Sequence, residues 1–302
     1  MKKTLSNILS IIFAIIPGML LAQSHTEKIT KELQFEKKTP TPTLMILNID
    51  GYVRVEGYAG DKILVEVNKQ IYAKTNERLE HGKSEIQLGI VDRADTIILY
   101  VEGVCDNFGK ANGRNINRHN KYGGWGYNWR NNCQGCDNDR LYDWEMDFTI
   151  KVPNGTNVLA STVNNGDIEI KNINGYTLAD NVNGSVRLEN ISGPATYAST
   201  INGEVDVDYT RNPSGECRYY SLNGDVNVLF VKGLAANVGF ESFNGDLYTN
   251  VNNMETLPAA MEKSNKGKGV NYKLGASRFK IGSGGPFLDF ETFNGNAYIK
   301  EK

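Results

Sequence analysis

Few of the 302 residues combine the type and spacing that chemistry demands. Cys133-Gln134-Gly135-Cys136 is a C-x-x-C pair, with Cys105 and His119 as distant company. Structural zinc needs four thiolate or imidazole ligands, usually from two such pairs, so a single pair falls short. A redox C-x-x-C belongs beside a βαβ pattern, which this sequence lacks. Asp137, Asp139, Asp143 and Asp147 suggest a calcium loop, but Leu141 occupies the third ligand position and the following glycine is missing. Asp167, Glu204, Asp225 and Asp246 recur at equivalent places in a repeat. General acid–base work requires two carboxylates whose environments push their pKa values apart. A row of similar acids reads instead as a solvated face. His25, His81 and His119 are scattered, and no G-x-S-x-G, H-E-x-x-H or Walker A spacing occurs. The expectation is a chain without catalytic residues, metal or cofactor.

The elements that would position any such residues come from the repeat itself. V-N-N-G-D-I-E-I from Val163 is followed by N-V-N-G-S-V-R-L from Asn181 and T-I-N-G-E-V-D-V from Thr200. Then come S-L-N-G-D-V-N-V from Ser221, S-F-N-G-D-L-Y-T from Ser242 and T-F-N-G-N-A-Y-I from Thr292. Gly166, Gly184, Gly203, Gly224, Gly245 and Gly295 mark the turns, and an outlying copy, N-I-D-G-Y-V-R-V, holds Gly51. Asn-Gly tolerates φ > 0, so the chain can turn sharply there. After each turn apolar residues alternate with polar ones, as in Ile168/Ile170, Val186/Leu188, Val205/Val207 and Val226/Val228, which describes strands with one buried face. Val182, Ile201, Leu222, Phe243 and Phe293 precede the turns. Further back, Ala179, Ala198, Tyr219, Phe240 and Phe290 grow in bulk, as an interior that widens along a stack would require.

A hairpin meander would also place Asn-Gly between strands. Matching residues at a full-repeat offset favour stacked units. The expected fold is therefore all-β: a single-domain β-solenoid or β-helix-like stack of short strands over residues 44–302, with Asn-Gly turns every 18–21 residues. No helical periodicity is expected beyond the amino-terminal segment.

Lys2 and Lys3 precede an apolar run from Ile8 to Leu21 that is interrupted by Pro17-Gly18 and ends at Ala22. That pattern reads as a secretory signal peptide over residues 1–22, since a spanning helix needs about 20 apolar residues. Residues 23–43 read as a linker. The chain is thus expected to be exported, in the periplasm or at the cell surface, with no transmembrane segment after cleavage. A net charge of −2 excludes wholesale attraction to nucleic acid. Glycine at 31 against proline at 8 points to tight turns in a folded chain. Export makes Cys105, Cys133, Cys136 and Cys217 candidates for disulfides, with pairing left open.

Between residues 105 and 146 the repeat stops. All the tryptophans of the chain, Trp125, Trp129 and Trp144, fall in this insertion, with Tyr122, Tyr127 and Tyr142. Aromatic rings beside asparagine and arginine can stack on sugars, so Tyr122, Trp125, Tyr127, Trp129, Arg130 and Trp144 are candidate ligand contacts. The competing reading is a local structural cover whose rings pack on one another. A basic, glycine-rich excursion at 252–285, with Lys263, Lys266, Lys268, Lys273, Arg278 and Lys280, separates the last two turn copies. Lys300-Glu301-Lys302 ends the final strand, and charge there should discourage end-to-end stacking.

The run F-T-I-K-V-P-N-G-T-N-V from Phe148 with the N-G-D-I copies resembles the bacterial envelope family known as putative adhesins. F-K-I-G-S-G-G-P from Phe279, followed by F-E-T-F-N-G-N-A-Y-I, is similar to the ending of its Bacteroidetes-type members. The resemblance covers residues 147–302 well and 44–104 loosely, and omits 105–146. It implies a solenoid-like β fold, export, no cofactor and no catalytic residues. The role expected is non-enzymatic binding or scaffolding at the envelope, with a glycan or surface protein as partner. A polysaccharide-active lyase or hydrolase on a β-helix, or an envelope stress-sensing accessory protein, are the alternatives.

Overall fold

The computed structural model describes residues 23–37, 39–103, 141–258, 261–265 and 270–302. The expected signal peptide and most of the insertion lie outside them. From the amino end the chain forms β1 (Gln23–Leu33), β2 (Thr43–Leu47), β3 (Val53–Tyr58), β4 (Ile63–Ala73), helix α1 (Asn76–Glu85), β5 (Gln87–Arg93) and β6 (Thr96–Glu102). After the insertion come β7 (Tyr142–Pro153), β8 (Asn157–Ser161), β9 (Ile168–Lys171), β10 (Thr177–Asp180), β11 (Val186–Ile191), β12 (Thr196–Asn202) and β13 (Val205–Tyr209). Next are β14 (Cys217–Asn223), β15 (Val226–Phe230), β16 (Ala236–Asn244), β17 (Leu247–Thr249) and β18 (Met254–Leu257). The last are β19 (Met261–Asn265), β20 (Val270–Leu274), β21 (Ser277–Ile281), β22 (Phe287–Asn294) and β23 (Ala297–Glu301).

The all-β expectation holds: two large mixed sheets carry the described residues, with no closed barrel. One sheet runs β1-β4-β7-β3-β9-β11-β13-β15-β23-β17. The other runs β18-β21-β16-β22-β14-β12-β10-β8-β2-β6-β5, and β19 pairs only with β20. From β3 to β17 in the first sheet, and from β16 to β2 in the second, all neighbours are parallel. A short corner joins one strand of each sheet, giving the tiers β2/β3, β8/β9, β10/β11, β12/β13, β14/β15, β22/β23 and β16/β17 in spatial order.

Period-two alternation turns each tier's aliphatics inward, and parallel register lines them up. Val53, Ile168, Val186, Val205, Val226 and Ala297 form one buried row. Facing them, Ala160, Ala179, Ala198, Tyr219, Phe290 and Phe240 follow one another across neighbouring strands. The bulk gradient in the sequence is therefore a gradient along the stack.

The tier order departs from the chain order. The carboxyl-terminal β22/β23 lies between β14/β15 and β16/β17, so Lys300-Glu301-Lys302 does not blunt an edge. Glu301 instead accepts the Gly233 and Leu234 N–H groups at 2.9 and 2.8 Å, and Lys302 pairs with Asp208. Among the described residues, the edge strand at this end of that sheet is β17.

The amino-terminal region also corrects the sequence reading. Residues Gln23–Leu33, expected within a linker, form β1, paired antiparallel with β4 along its whole length. Only Ile29 and Leu33 of this strand reach the core, so its pattern reads as polar. Buried Lys69 fastens it: the ammonium lies 2.9 Å from the Glu27 carboxylate and donates to the Ile86 and Lys83 carbonyls at 3.0 and 3.3 Å. Helix α1 escaped the periodicity because Leu79 and Gly82 are its only buried residues; Thr75 caps it by accepting the Arg78 N–H. β7 begins at Tyr142, so the break in the repeat ends before 146. The 252–285 segment is not a free excursion, because β21 pairs antiparallel with β16 and β18 pairs antiparallel with β21, extending the second sheet.

Candidate functional site

The corners stack into a lateral face. A Cβ on Gly166 would overlap the Gly51 backbone, and one on Gly184 would overlap the Gly166 carbonyl. The same conflict sets Gly203 against Gly184, Gly224 against Gly203, Gly295 against Gly224 and Gly245 against Gly295. Positive φ is the expected reason for these glycines, but among them only Gly51, at 112°, and Gly224, at 159°, have it. Close approach of neighbouring tiers is what requires glycine here.

Beside the glycines runs a ladder of side-chain amides. Asn183 donates to Asn164, Asn202 to Asn183, Asn223 to Asn202, Asn294 to Asn223 and Asn244 to Asn294, each at 2.8–3.0 Å. Just inside it, Thr162, Asn181, Thr200 and Ser221 donate to the glycine carbonyl of the adjacent tier, at 2.8, 3.0, 2.7 and 2.8 Å. These buried polar residues went unnoticed in the sequence. The signal was present: a small polar residue stands three places before the glycine in almost every copy.

The residues after the glycines link tiers as well. Asp167 accepts the Ser185 N–H at 2.7 Å, Asp225 the Asn296 N–H at 2.8 Å, and Asn296 the Asp246 N–H at 3.0 Å. Asp167 and Asp225 of this column thus serve the backbone of a neighbouring tier.

An open cleft of about 790 Å³ lies at the amino-terminal end of the face, lined by Asp50, Tyr52, Arg54, Asn164, Asn165, Gly166, Asp167 and Asn183. The Arg54 guanidinium sits 4.0 Å from the Tyr52 ring centroid, with its Nε 3.5 Å from Glu169. Asn165, in the left-handed region at φ 56°, donates to Asp50 at 3.1 Å. Behind the cleft, Asp147 accepts the Tyr52 N–H at 3.1 Å. Burial raises the Asp147 carboxyl above its usual range, outweighing that hydrogen bond and the charge of Arg54. Burial also raises Glu145, reinforced by the negative charges of Asp147 and Asp50.

Of the candidate ligand contacts, only Trp144 is described: it lies on β7 opposite Ile71 and packs half-buried against the core. Tyr122, Trp125, Tyr127, Trp129 and Arg130 lie outside the described residues, as do Cys105, Cys133 and Cys136. Cys217, expected as a disulfide candidate, is a buried free thiol. It points into the stack, where its sulfur accepts the Thr196 N–H at 3.3 Å and faces the hydrogen-bonded Tyr209 and Tyr219 hydroxyls. Burial raises all three groups. Among the described residues no group of three or more His, Cys, Asp or Glu could hold a metal, and no helix is long and apolar enough to cross a membrane.

No protein-family model and no curated protein matches the chain. Among solved structures, it is similar to a putative cell adhesion protein from Clostridium sporogenes ATCC 15579, at 13% identity over 92% of this chain and 100% of the other, with a TM-score of 0.41. It is also similar to a putative adhesin from Bacteroides fragilis NCTC 9343, at 12% identity over 91% and 97% of the two chains, with a TM-score of 0.34.

Proposed function

We propose that this chain is an exported, non-enzymatic envelope protein, with a β-solenoid body and a corner face that serves as an adhesin-like binding or scaffolding surface. The observation that carries this reading is the cleft, where amides, a phenol ring, a guanidinium and carboxylates converge on open solvent. Asp167 and Asp225 of the neighbouring acid column join tiers, which gives those two a structural role. Amphipathic rings beside amides suit a glycan, which offers both apolar faces and hydroxyls. The resemblance of residues 147–302 to envelope proteins and the pattern of residues 1–22 support export.

A polysaccharide-active enzyme is the second reading, favoured by the raised carboxyl of Glu145 close to Asp50 and Asp147. One experiment separates the two. Wild-type protein and the Tyr52→Ala/Arg54→Ala variant are incubated with bacterial envelope polysaccharide, and both retention and released sugar ends are measured. Binding without release, lost in the variant, is the expected result. Unchanged retention in the variant contradicts the cleft, and release abolished by Glu145→Gln replaces the binding module with an enzyme.

A further inference from the structure

β17 is the last strand of its sheet among the described residues, and its tier repeats the corner pattern with no further strand paired to β17. In the two tiers before it, backbone N–H groups reach forward. Gly224 donates to the Asn294 carbonyl at 3.0 Å and Gly295 to that of Asn244 at 3.1 Å. Val226 donates to the Asn296 carbonyl at 2.9 Å and Ala297 to that of Asp246 at 3.0 Å. Side chains accept in return: Asn223 from the Asn294 amide at 2.9 Å, and Asp225 from the Asn296 N–H at 2.8 Å.

In the terminal tier the equivalent groups are the Gly245 and Leu247 N–H, the Asn244 Oδ1 and the Asp246 carboxylate, and none has a partner among the described residues. Two rings are likewise half used. Phe243 stacks on Phe293 at 4.8 Å and 4°, and Tyr248 on Tyr298 at 5.1 Å and 16°. Phe243 remains 73% exposed and Tyr248 47%. In the second sheet, β21 covers β16 only from Ala236 to Phe240, so the open stretch runs from 241 to 249.

Natural sheets protect exposed edges with charge. β1, at the far edge of the same sheet, carries Glu27, Lys28, Lys31 and Glu32, whereas β17 reads Leu-Tyr-Thr. We propose that this open half-tier is a docking site for an extended segment of a partner polypeptide, added as one more strand parallel to β17. The mode is strand addition to a sheet edge. The segment offers two carbonyls to the Gly245 and Leu247 N–H groups, an amide to Asn244 and a backbone N–H to Asp246. Rings from it cover Phe243 and Tyr248. Its corner is glycine, because the stacked corners leave no room for a Cβ. The motif is then aromatic-Asn-Gly-x-apolar-aromatic, the pattern of the copies at Ser242 and Thr292. Every copy of that repeat among the described residues already occupies a tier, so the segment belongs to another protein. The site lies at the opposite end of the stack from the cleft and does not depend on it.

The test uses the full chain and a labelled synthetic peptide, FETFNGNAYIK, corresponding to residues 290–300. Fluorescence anisotropy should show saturable binding, with hydrogen exchange slowed at the Gly245 and Leu247 amides. A peptide bearing Gly295→Val should bind about tenfold or more weakly, as should the wild-type peptide to a Phe243→Ala chain. Phe243 is mostly exposed, so that chain keeps its fold, and the peptide substitution leaves the protein untouched. No saturable binding up to about 1 mM overturns the proposal. So does equal binding by a scrambled or Gly295→Val peptide, protection confined to other amides, or protection of β17 by self-association or by oligosaccharide alone.

Discussion

The side-chain amide of Asn294 donates to that of Asn223 at 2.9 Å, although 71 residues separate them. That bond places the carboxyl-terminal tier inside the stack, between tiers that precede it in the chain. Leu288, Phe290, Ala297 and Ile299 are accordingly fully buried.

Removing residues 287–302 should therefore open the molecule internally. Burying each of the larger side chains contributes about 1.5–3 kcal/mol, and a domain's whole stability is about 5–15 kcal/mol. Limited proteolysis should cut the truncated chain within 236–257 faster than the full chain. Equal protection in both chains contradicts the insertion.

The glycine column makes a paired prediction. Gly203→Ala forces a methyl group into the Gly184 carbonyl and should cost about 1–3 kcal/mol in denaturant unfolding. Gly155→Ala meets nothing within 4 Å and should change stability by less than about 0.5 kcal/mol. Equal effects would mean that the corners are not in close contact.

How much of this was legible in the sequence follows from the physics of each element. The aliphatic alternation of Val205/Val207 and the series Ala179, Ala198, Tyr219 are inward rows, and burial writes such rows directly into residue type. Tier order was not legible, since the copy at Thr292 carries the same residues wherever it stacks. β1 is paired by its backbone and contributes little to the core, so its side chains carried no signal. The glycines were legible as corners, but for the wrong reason: the space they need lies against a neighbouring tier, which a single copy of the repeat does not reveal. The candidate site divides the same way. Tyr52 and Arg54 come from the outlying copy and Asn164 and Asn183 from later ones, so only stacking brings the cleft together.

Asp147 sets a pH dependence. Its folded carboxyl is raised above the ordinary 3.8 by burial, so the fold disfavours the charged form. The resulting loss of stability begins as pH rises through the unfolded value and is complete above the raised folded one. Asp147→Asn keeps an acceptor for the Tyr52 N–H and removes the charge. Its melting temperature should exceed that of the wild type at neutral pH, with the difference vanishing near about pH 3. A variant less stable at pH 7 than at pH 3, relative to wild type, contradicts this.

Cys217 should resist alkylation in the native protein and react fully in denaturant, because burial shields the sulfur and raises the thiol. Peptide mapping after iodoacetamide reads this directly. Recovery of Cys217 in a disulfide would contradict the buried thiol.

The order of the tiers is the claim on which the rest stands, and site-directed cross-linking tests it most directly. Neighbouring parallel strands lie about 4.8 Å apart, within disulfide reach, while alternate strands lie about twice as far. Phe243→Cys with Phe293→Cys, and Leu222→Cys with Phe293→Cys, should each give a mapped cross-linked peptide under mild oxidation. Leu222→Cys with Phe243→Cys should give none. A cross-link between positions 222 and 243, with none to 293, would restore chain order to the stack and contradict this structure.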